Sequence, residues 1–241
     1  MTTSFVYNWP GLDQPEVFLP FAERWAKSYL EFGQGFPHKL YVCSCGTSKI
    51  PDCLKRLKPE VIRYDGEGFD IGSAQFAAKH IKEDFMLTGT ARHYFWKSNP
   101  IKRMAEVFEK YPDSLLAPMM SYELCPLGPF DNWPNASIRA AFYGLSPARF
   151  LRYPFPIVNR ERGFIFESGE LSIGRWFDAC GLRTIMVTWD GAWDNKRAWG
   201  QVPNRFRHGD QSACLVYDKH TKLWEQQPPQ VKALWAKRAW G

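Results

Sequence analysis

Long apolar runs are missing from this sequence. No stretch approaches the ~20 consecutive apolar residues that cross a bilayer, and residues 1–8 contain no basic segment followed by an apolar one. These absences argue against a membrane-spanning protein and a secretory leader. We therefore expect a cytoplasmic protein with no membrane partner.

Cysteines are few, and their spacing matches neither a disulfide framework nor a zinc site. The six cysteines are scattered over 241 residues, a length that supports a hydrophobic core without cross-links. The one cluster, Cys43, Cys45 and Cys53, has no CxxC pair and no second pair nearby. The spacing favours reduced thiols.

The chain has a modest excess of positive charge. Its formal net charge is +6 at pH 7, and its pI is about 9.0. Such an excess attracts polyanions, for example nucleic acids, nucleotide diphosphates or an anionic membrane surface, although it is equally typical of an ordinary soluble domain. The 11 Trp, 10 Tyr and 18 Phe mostly predict a core, with some aromatic platforms for sugar rings or bases.

Predicted strands and helices alternate along the chain. Runs of β-branched and aromatic residues predict strands at residues 4–7, 39–43, 61–64, 85–88, 115–118 and 184–189. Apolar spacing predicts helices at residues 16–32, 71–81, 100–111 and 172–180, with Asp70 as the N-cap of the second. The alternation predicts an α/β fold: a single-domain, Rossmann-like mixed sheet flanked by helices. This domain covers residues 1–223, and a basic, Trp-containing tail covers residues 224–241.

Two segments resemble glycosyltransferases of the A-type fold. Residues 68–81, GFDIGSAQFAAKHI, and 83–88, EDFMLT, are similar to the helix and strand that lead to the metal-binding DxD turn of that family. Residues 166–182, FESGELSIGRWFDACGL, followed by 184–189, are similar to its acidic motif, helix, glycine and strand. The similar segments span roughly residues 4–218.

The resemblance implies a nucleotide-sugar donor, with a UDP-sugar favoured, bound over the N-terminal strands. It also implies an acidic residue near the acceptor hydroxyl. The residues it places near the donor base and ribose are Tyr7, Asn8, Tyr64 and Asp65.

The DxD turn itself is replaced. Residues 88–93, TGTARH, contain no carboxylate, so the donor diphosphate needs another source of positive charge, and protein cations can supply it. The candidates for donor contact are Thr90, Arg92, His93, Arg205, Arg207 and His208. In the alternative, His208 or Asp210 of the C-terminal loop binds Mn²⁺ or Mg²⁺. Alternatively, Arg92 is a solvated residue of the turn and makes no contact with the donor.

Sugar transfer needs a base that deprotonates the attacking hydroxyl. Glu167 and Glu170 are the candidates, because we expect them at the end of a strand, just before the helix that starts at Ser172. The same position also suits plain compensation of the helix dipole.

A tryptophan-rich segment follows the last predicted strand. Trp189 and Trp193 are expected to stack on the acceptor, while Asp190 holds its hydroxyls and joins the catalytic candidates. Burial of Trp189 in the core is the alternative.

The basic and aromatic tail has two interpretations. It contacts a phosphate backbone and stacks on bases, or it forms a terminal helix that packs Leu234, Trp235 and Trp240 on the domain. The second interpretation is slightly favoured, because tryptophans at such spacing are usually buried.

The favoured function is transfer of a sugar from a nucleotide diphosphate to an acceptor hydroxyl. A plausible acceptor is a hydroxymethylated base in double-stranded DNA, in the host cytoplasm if the protein is phage-encoded. Polysaccharide and lipid-linked acceptors remain open, and a non-catalytic nucleic-acid-binding module is the alternative from another class. A nucleotidyltransferase is disfavoured, because residues 88–93 lack carboxylates for its metal.

Overall fold

The computed structural model describes residues 1–10, 15–46, 49–127 and 133–241. Within them, eight strands form a central sheet, and two pairs of short strands lie beside it. The strands are β1 (Thr3–Trp9), β2 (Lys39–Cys45), β3 (Glu60–Tyr64), β4 (Phe85–Gly89), β5 (Tyr94–Phe95), β6 (Leu115–Ala117), β7 (Met120–Ser121), β8 (Ser137–Ile138), β9 (Phe142–Leu145), β10 (Thr184–Val187), β11 (Ala192–Trp193) and β12 (Val216–Tyr217).

Helices cover both faces of the sheet. The α-helices in the described ranges are α1 (Pro15–Ser28), α2 (Asp52–Lys55), α3 (Phe69–Ala77), α4 (Pro100–Lys110), α5 (Pro147–Arg152), α6 (Arg160–Ser168), α7 (Ile173–Ala179), α8 (Lys219–Glu225) and α9 (Pro229–Trp240). A π-helical turn (Tyr29–Gly33) and a 3-10 helix (Lys196–Gln201) complete the set. None of these helices combines the length and the apolar character that crossing a membrane requires.

The central sheet is mostly parallel. Its strand order is β11-β10-β6-β9-β4-β1-β2-β3. β1 pairs in parallel with β2 and β4, and β3 extends β2 in parallel. β9 runs antiparallel between β4 and β6. The carboxyl ends of β1 to β4 therefore meet at one edge, where β9 begins. The predicted class, a mixed sheet flanked by helices, is confirmed.

Residues of each strand alternate between the two faces of the sheet. On one face, Phe5 and Tyr7 pack with Trp25 of α1. On the other face, Val6 packs with Ile62 of β3 and Phe166 of α6. Asn8 follows Val6 by two residues, so it belongs to the second face, beneath α3.

The first predicted helix is slightly shorter than expected. α1 ends at Ser28, and the π-helical turn carries the chain on to Gly33. Gly33 lies against the rings of Tyr29 and Phe95, where an added Cβ would approach to 2.8 Å and 3.1 Å. The close approach explains why a glycine ends this segment.

Two local predictions are wrong. α3 begins at Phe69 after the N-cap residue Gly68, so Asp70 lies inside the first turn and is not the cap. Residues 160–168 form the unpredicted helix α6, which places Glu167 in the last turn of a helix and not at a strand end. α7 starts only at Ile173.

The C-terminal tail packs on the domain. The proposed boundary at residue 223 falls inside α8, and Ala239 of α9 is buried. The backbone N–H of Tyr122 donates to the carbonyl oxygen of Ala239 at 2.7 Å. The Trp240 indole donates to the carbonyl oxygen of Phe206 at 2.7 Å. Leu234 remains 57% exposed, so only part of the predicted apolar surface is covered.

Candidate functional site

Asn8 connects three elements at the carboxyl edge of the sheet. Its side-chain Nδ2 donates to Thr88 Oγ1 at 2.8 Å and to the Gly89 carbonyl at 3.0 Å, while its Oδ1 accepts from Ser73 Oγ at 2.8 Å. The side chain is 1% exposed. Asn8 therefore joins β1, β4 and α3 beneath the site, with its hydrogen-bonding groups already engaged by protein atoms.

Asp70 is connected to this network, because its backbone carbonyl accepts from Ser73 Oγ at 3.0 Å. Its Oδ1 is buried and has no hydrogen-bond partner among the described residues. Burial raises the pKa of Asp70 to about 7, the positive charge of Arg92 acts against that rise, and Glu167 adds to it. A buried polar group without a partner costs about 1–3 kcal/mol. Such a group is suited to binding a ligand.

Glu167 supplies a second carboxyl at this edge. Its Oε1 accepts a 2.6 Å hydrogen bond from the backbone N–H of Ala140, just before β9. Burial raises the pKa of Glu167, and the nearby charge of Arg139 and the Ala140 hydrogen bond lower it. The result is a fixed carboxylate of increased basicity, as a general base requires.

Tyr143 of β9 completes what we call the carboxyl–phenol cluster (Asp70, Tyr143 and Glu167). Its hydroxyl is buried without a partner among the described residues. Burial raises the pKa of Tyr143 well above its usual value, and the charges of Glu167 and Asp70 raise it further. The sequence does not single out Tyr143 or Asp70 as site residues, because Tyr143 resembles any buried strand aromatic and the pattern around Asp70 predicts a helix cap.

Arg92 is a cation whose charge acts on Asp70. Its guanidinium lies 5.3 Å from the ring centroid of Phe18 and 5.9 Å from that of Phe21. No carboxylate of the described ranges lies within ion-pair distance of it. The charge of Arg92 is therefore not neutralised by an ion pair with any described carboxylate. Thr90 sits beside it, with its Oγ1 accepting from the Arg92 backbone N–H at 3.4 Å.

Lys219 is a functional candidate that the sequence interpretation missed. It is the first residue of α8, whose N-terminus is fixed by a capping box between Asp218 and Thr221. Burial lowers the pKa of Lys219, the charges of Arg92 and Arg160 lower it further, and that of Asp218 acts against the change. The Asp-to-Thr spacing at residues 218–221 could have revealed the helix start, but not the proximity to Arg92.

His93 has a structural role and not the predicted one. Its Nε2 accepts from the Trp25 indole N–H at 3.0 Å, which leaves Nδ1 as the donor to the Thr90 carbonyl at 2.5 Å. Burial lowers the pKa of His93 to about 4. It is neutral at pH 7, so it carries no positive charge to offset a phosphate.

Tyr7 lies on the same buried face as His93. It stacks on Trp25 with ring centroids 4.0 Å apart, and its hydroxyl donates to the Ala91 carbonyl at 3.2 Å. Its ring is fully buried. The structure gives it a core position and no surface for the donor base.

Arg205 and Arg207 are occupied within the protein. Arg205 is buried, donates to the Val202 carbonyl at 2.6 Å, and lies 4.3 Å from the Trp240 ring centroid. Arg207 forms an ion pair with Glu123. These contacts tie the two arginines to the C-terminal region, although the Nε of each has no hydrogen-bond partner among the described residues.

Glu123 also pairs with Arg139, at 3.3 Å. Arg139 precedes Ala140, the residue that donates to Glu167. The ion pair therefore fixes the cation that lowers the pKa of Glu167.

Tyr64 lies beside α3. Its hydroxyl accepts from the Gly68 backbone N–H at 3.1 Å. It lines a cavity of about 330 Å³ together with Gln75, Lys79 and Tyr153. Asp70, Tyr143 and Glu167 do not line this cavity, so we do not assign the chemistry to it.

The remaining predicted residues are near the surface. The exposed ones are Asp65, Glu170, Asp190, His208 and Asp210. Trp189 and Trp193 follow β10, which β6 and β9 separate from β4. Their indole N–H groups donate to the Cys214 carbonyl at 3.0 Å and to Thr188 Oγ1 at 3.2 Å. The structure does not bring these residues to the carboxyl–phenol cluster.

The donor set does not suit a divalent cation. In the ranges that the structure covers, no group of three or more His, Cys, Asp or Glu side chains could hold a metal ion. Asp210 Oδ1 already accepts from the Ser212 backbone N–H at 2.9 Å. The turn after β4 offers an arginine where hard oxygen ligands are needed for Mg²⁺ or Mn²⁺.

No protein-family model matches the chain, and no curated protein matches it. Among solved structures, it is similar to TarS of S. aureus, with 12% identity and a TM-score of 0.45 over 64% of this chain and 30% of that chain. A TarS 1–349 structure in complex with UDP-GlcNAc matches with 11% identity and a TM-score of 0.42 over 62% and 46% of the two chains. HddC from Yersinia pseudotuberculosis matches with 14% identity and a TM-score of 0.44 over 74% and 98%. The chain spans less than half the length of the TarS chains, and no residue role is taken from these similarities.

Proposed function

We propose that this protein is a glycosyltransferase that moves a sugar from a nucleoside-diphosphate donor, with a UDP-sugar favoured, to an acceptor hydroxyl. The observation that carries the proposal is the pair of buried carboxyls, Asp70 and Glu167, both with raised pKa values at the carboxyl edge of a mostly parallel sheet. This edge is where open α/β sheets bind ligands. The resemblance of residues 68–88 and 166–189 to A-type glycosyltransferases agrees with it.

In the proposed reaction, Glu167 is the general base. The acceptor hydroxyl gives its proton to the Glu167 carboxylate while its oxygen bonds to the anomeric carbon. The bond from that carbon to the donor phosphate oxygen breaks, and its electron pair leaves with the nucleoside diphosphate. The 2.6 Å bond from Ala140 holds the carboxylate in one orientation, which lowers the entropic cost of proton transfer.

Asp70 binds the sugar in this proposal. At neutral pH its carboxyl is close to half-protonated, because its pKa is about 7. Its free Oδ1 and the free Tyr143 hydroxyl give a sugar both a donor and an acceptor for its hydroxyl groups. These two atoms therefore find in the substrate the partners that the protein does not supply.

For the acceptor, we propose a hydroxymethylated base in double-stranded DNA. The net charge of +6 and the exposed Lys237 and Arg238 on α9 favour a polyanion. A polysaccharide or lipid-linked hydroxyl is the competing acceptor, and a non-catalytic nucleic-acid-binding module is the competing function. Offering each acceptor with a panel of nucleotide sugars separates these possibilities, because a non-catalytic module transfers sugar to none of the acceptors.

The decisive variants are Glu167→Gln and Glu170→Gln. They lie three positions apart in the sequence, but Glu170 is exposed whereas Glu167 is bonded to Ala140. We expect Glu167→Gln to slow nucleoside-diphosphate release by roughly 10²–10⁴-fold, and Glu170→Gln to leave the rate within about twofold of wild type. Nucleoside-diphosphate release and the mass of the acceptor are the two measurements.

Two results contradict the proposal. The catalytic assignment fails if both variants turn over at the wild-type rate. A protein that no nucleotide sugar stabilises in a thermal-shift panel, yet that binds DNA tightly, is the non-catalytic module.

A further inference from the structure

The turn after β4 carries positive charge at the place where the proposed donor's diphosphate needs it. Residues 88–93 have no carboxylate, and β4 pairs with β1 along the edge that holds Asp70 and Glu167. A divalent ion has no ligand set here among the described residues. The charge of a diphosphate must therefore be offset by side chains.

The Arg92 guanidinium is prepared for an anion. The rings of Phe18 and Phe21 restrict it, and its side chain donates no hydrogen bond to any described residue. A guanidinium that is held by aromatic rings and still has free N–H groups offers a planar, two-pronged donor for phosphoryl oxygens.

Lys219 brings a second positive charge from a distant part of the chain. The Asp218 Oδ1 accepts from the backbone N–H groups of His220 and Thr221, at 2.8 Å and 3.0 Å, and so fixes the start of α8. β12 pairs antiparallel with β5, with Tyr217 opposite Tyr94, so the chain that enters α8 brings Lys219 back toward Arg92, two residues before Tyr94. The charges of Arg92 and Arg160 lower the pKa of Lys219, whereas that of Asp218 raises it. No carboxylate in the covered ranges is within ion-pair distance of Lys219.

The nearby carboxyls do not neutralise this pair. Asp70, whose pKa Arg92 lowers, is not within ion-pair distance of it and still has a pKa of about 7. It is therefore only partly ionised at neutral pH. The Asp218 carboxylate is engaged by the N-terminus of α8. Asp218 attracts Lys219 and raises its pKa, but neither Arg92 nor Lys219 forms an ion pair with a described carboxylate. An anion between the two cations is therefore attracted by both.

We propose that Arg92 and Lys219 bind the diphosphate of the donor directly, with no divalent cation between protein and phosphate. This inference rests on the proposed function for the identity of the anion. Arg92 contacts the phosphoryl oxygens as a fork and Lys219 as a point charge, while Arg160 adds longer-range attraction.

Calorimetric binding of UDP and of inorganic pyrophosphate, in EDTA and in Mn²⁺, tests the site. We expect both probes to bind in EDTA and Mn²⁺ to change Kd by less than about threefold. We expect Lys219→Gln and Arg92→Gln each to weaken pyrophosphate binding by roughly tenfold or more. Lys222→Gln is the matched control, since it removes an exposed lysine from the same helix and should leave Kd unchanged.

Arg92 packs on aromatic rings, so its variant must be shown to be folded. Arg92→Lys keeps the charge without the fork, and partial recovery of binding relative to Arg92→Gln supports the site. If Arg92→Gln unfolds, Lys219→Gln still decides the question. Binding that requires Mn²⁺, or a Lys219→Gln protein that binds like the Lys222→Gln control, overturns the proposal.

Failure of this site and failure of the proposed function are distinguishable. Metal-free pyrophosphate binding that depends on Lys219, without any sugar transfer, supports the phosphate site and defeats the glycosyltransferase. Sugar transfer that depends on Glu167 and on added Mn²⁺ supports the glycosyltransferase and defeats the metal-free phosphate site.

Discussion

Oε1 of Glu167 accepts a 2.6 Å hydrogen bond from the backbone N–H of Ala140. The donor is part of the main chain entering β9, so the position of the carboxylate follows from the path of the sheet. Arg139, one residue earlier, is held by Glu123 and lowers the pKa of Glu167, against the larger effect of burial. The basicity of Glu167 thus depends on an ion pair outside the carboxyl–phenol cluster.

Arg139→Gln should move the acid limb of the pH–rate profile upward. The positive charge of Arg139 stabilises the ionised form of Glu167, so its loss raises the pKa of that carboxyl, and kcat/KM begins to fall at a higher pH. A shift of roughly one pH unit is expected for the loss of a nearby charge. Arg162→Gln, an exposed change on α6, should leave the profile in place, and an equal shift in both variants would count against the assignment.

Asp70→Asn should stabilise the protein and weaken its binding of the donor. The pKa of Asp70 is raised to about 7 by burial, so the unfolded state releases this proton more readily, and native stability falls as the pH rises from about 4 to 7. An amide removes that cost. We expect a gain of about 4 kcal/mol at pH 8, shrinking toward zero near pH 4, and a loss of donor binding.

Urea unfolding of Asp70→Asn at several pH values, with pyrophosphate and nucleotide-sugar titrations, measures both effects. An Asp70→Asn protein that is less stable than wild type at pH 8 would contradict a destabilising, buried carboxyl.

His93 should make the fold acid-sensitive. Its pKa is lowered to about 4 by burial, below the ordinary value of about 6.5, so between these values the unfolded state binds more protons than the native state. The contribution of His93 is complete above pH 6.5 and is lost as the pH falls toward 4, by about 3 kcal/mol in all. Asp70 and Glu167 change stability in the opposite direction over this range.

The His93 effect is therefore measured as a difference. The free energy of unfolding of wild type minus that of His93→Gln should decline between pH 7 and pH 4. A difference that is constant with pH would mean that His93 is protonated equally in both states.

Trp240→Ala should destabilise the whole domain and not just the tail. The Trp240 indole bonds to Phe206, and its ring packs on Arg205 and Tyr122, the latter with centroids 5.2 Å apart. We expect a loss of about 2–4 kcal/mol, seen as a single, earlier thermal transition. Leu234→Ala, at a side chain that is 57% exposed, should change stability by less than about 0.5 kcal/mol. An unchanged Tm for Trp240→Ala would mean that residues 224–241 form an independent segment.

The central sheet was predictable because its strands carry their own signal. Residues 4–7 and 85–88 are runs of strand-forming residues that stay buried on both faces, and such runs indicate a covered, parallel sheet. Helix α6 was not predictable, because it contains Gly163 and its apolar residues show little helical periodicity. The sequence therefore identifies Glu167 as a candidate but places it at a strand end, whereas it lies in the last turn of α6.

The site itself depends on long-range contacts that local patterns do not contain. A histidine in a polar turn suggests a surface residue, yet Trp25, 68 positions away, buries His93 and bonds to it. Lys219 becomes a candidate only because β12, which precedes α8, pairs antiparallel with β5 and so returns the chain to the turn after β4. The sequence pattern predicts Arg205 and Arg207 as phosphate ligands, but it does not contain their contacts with Trp240 and Glu123.

The amide of Asn8 has a consequence for sequence variation. It satisfies two oxygens of β4 and one hydroxyl of α3 at the same time. Aspartate has the same shape but lacks the N–H donors, and leucine has neither donor nor acceptor. An evolutionary replacement at position 8 would thus need matched changes on both other elements, which makes this small residue one of the most constrained positions expected in any alignment of relatives.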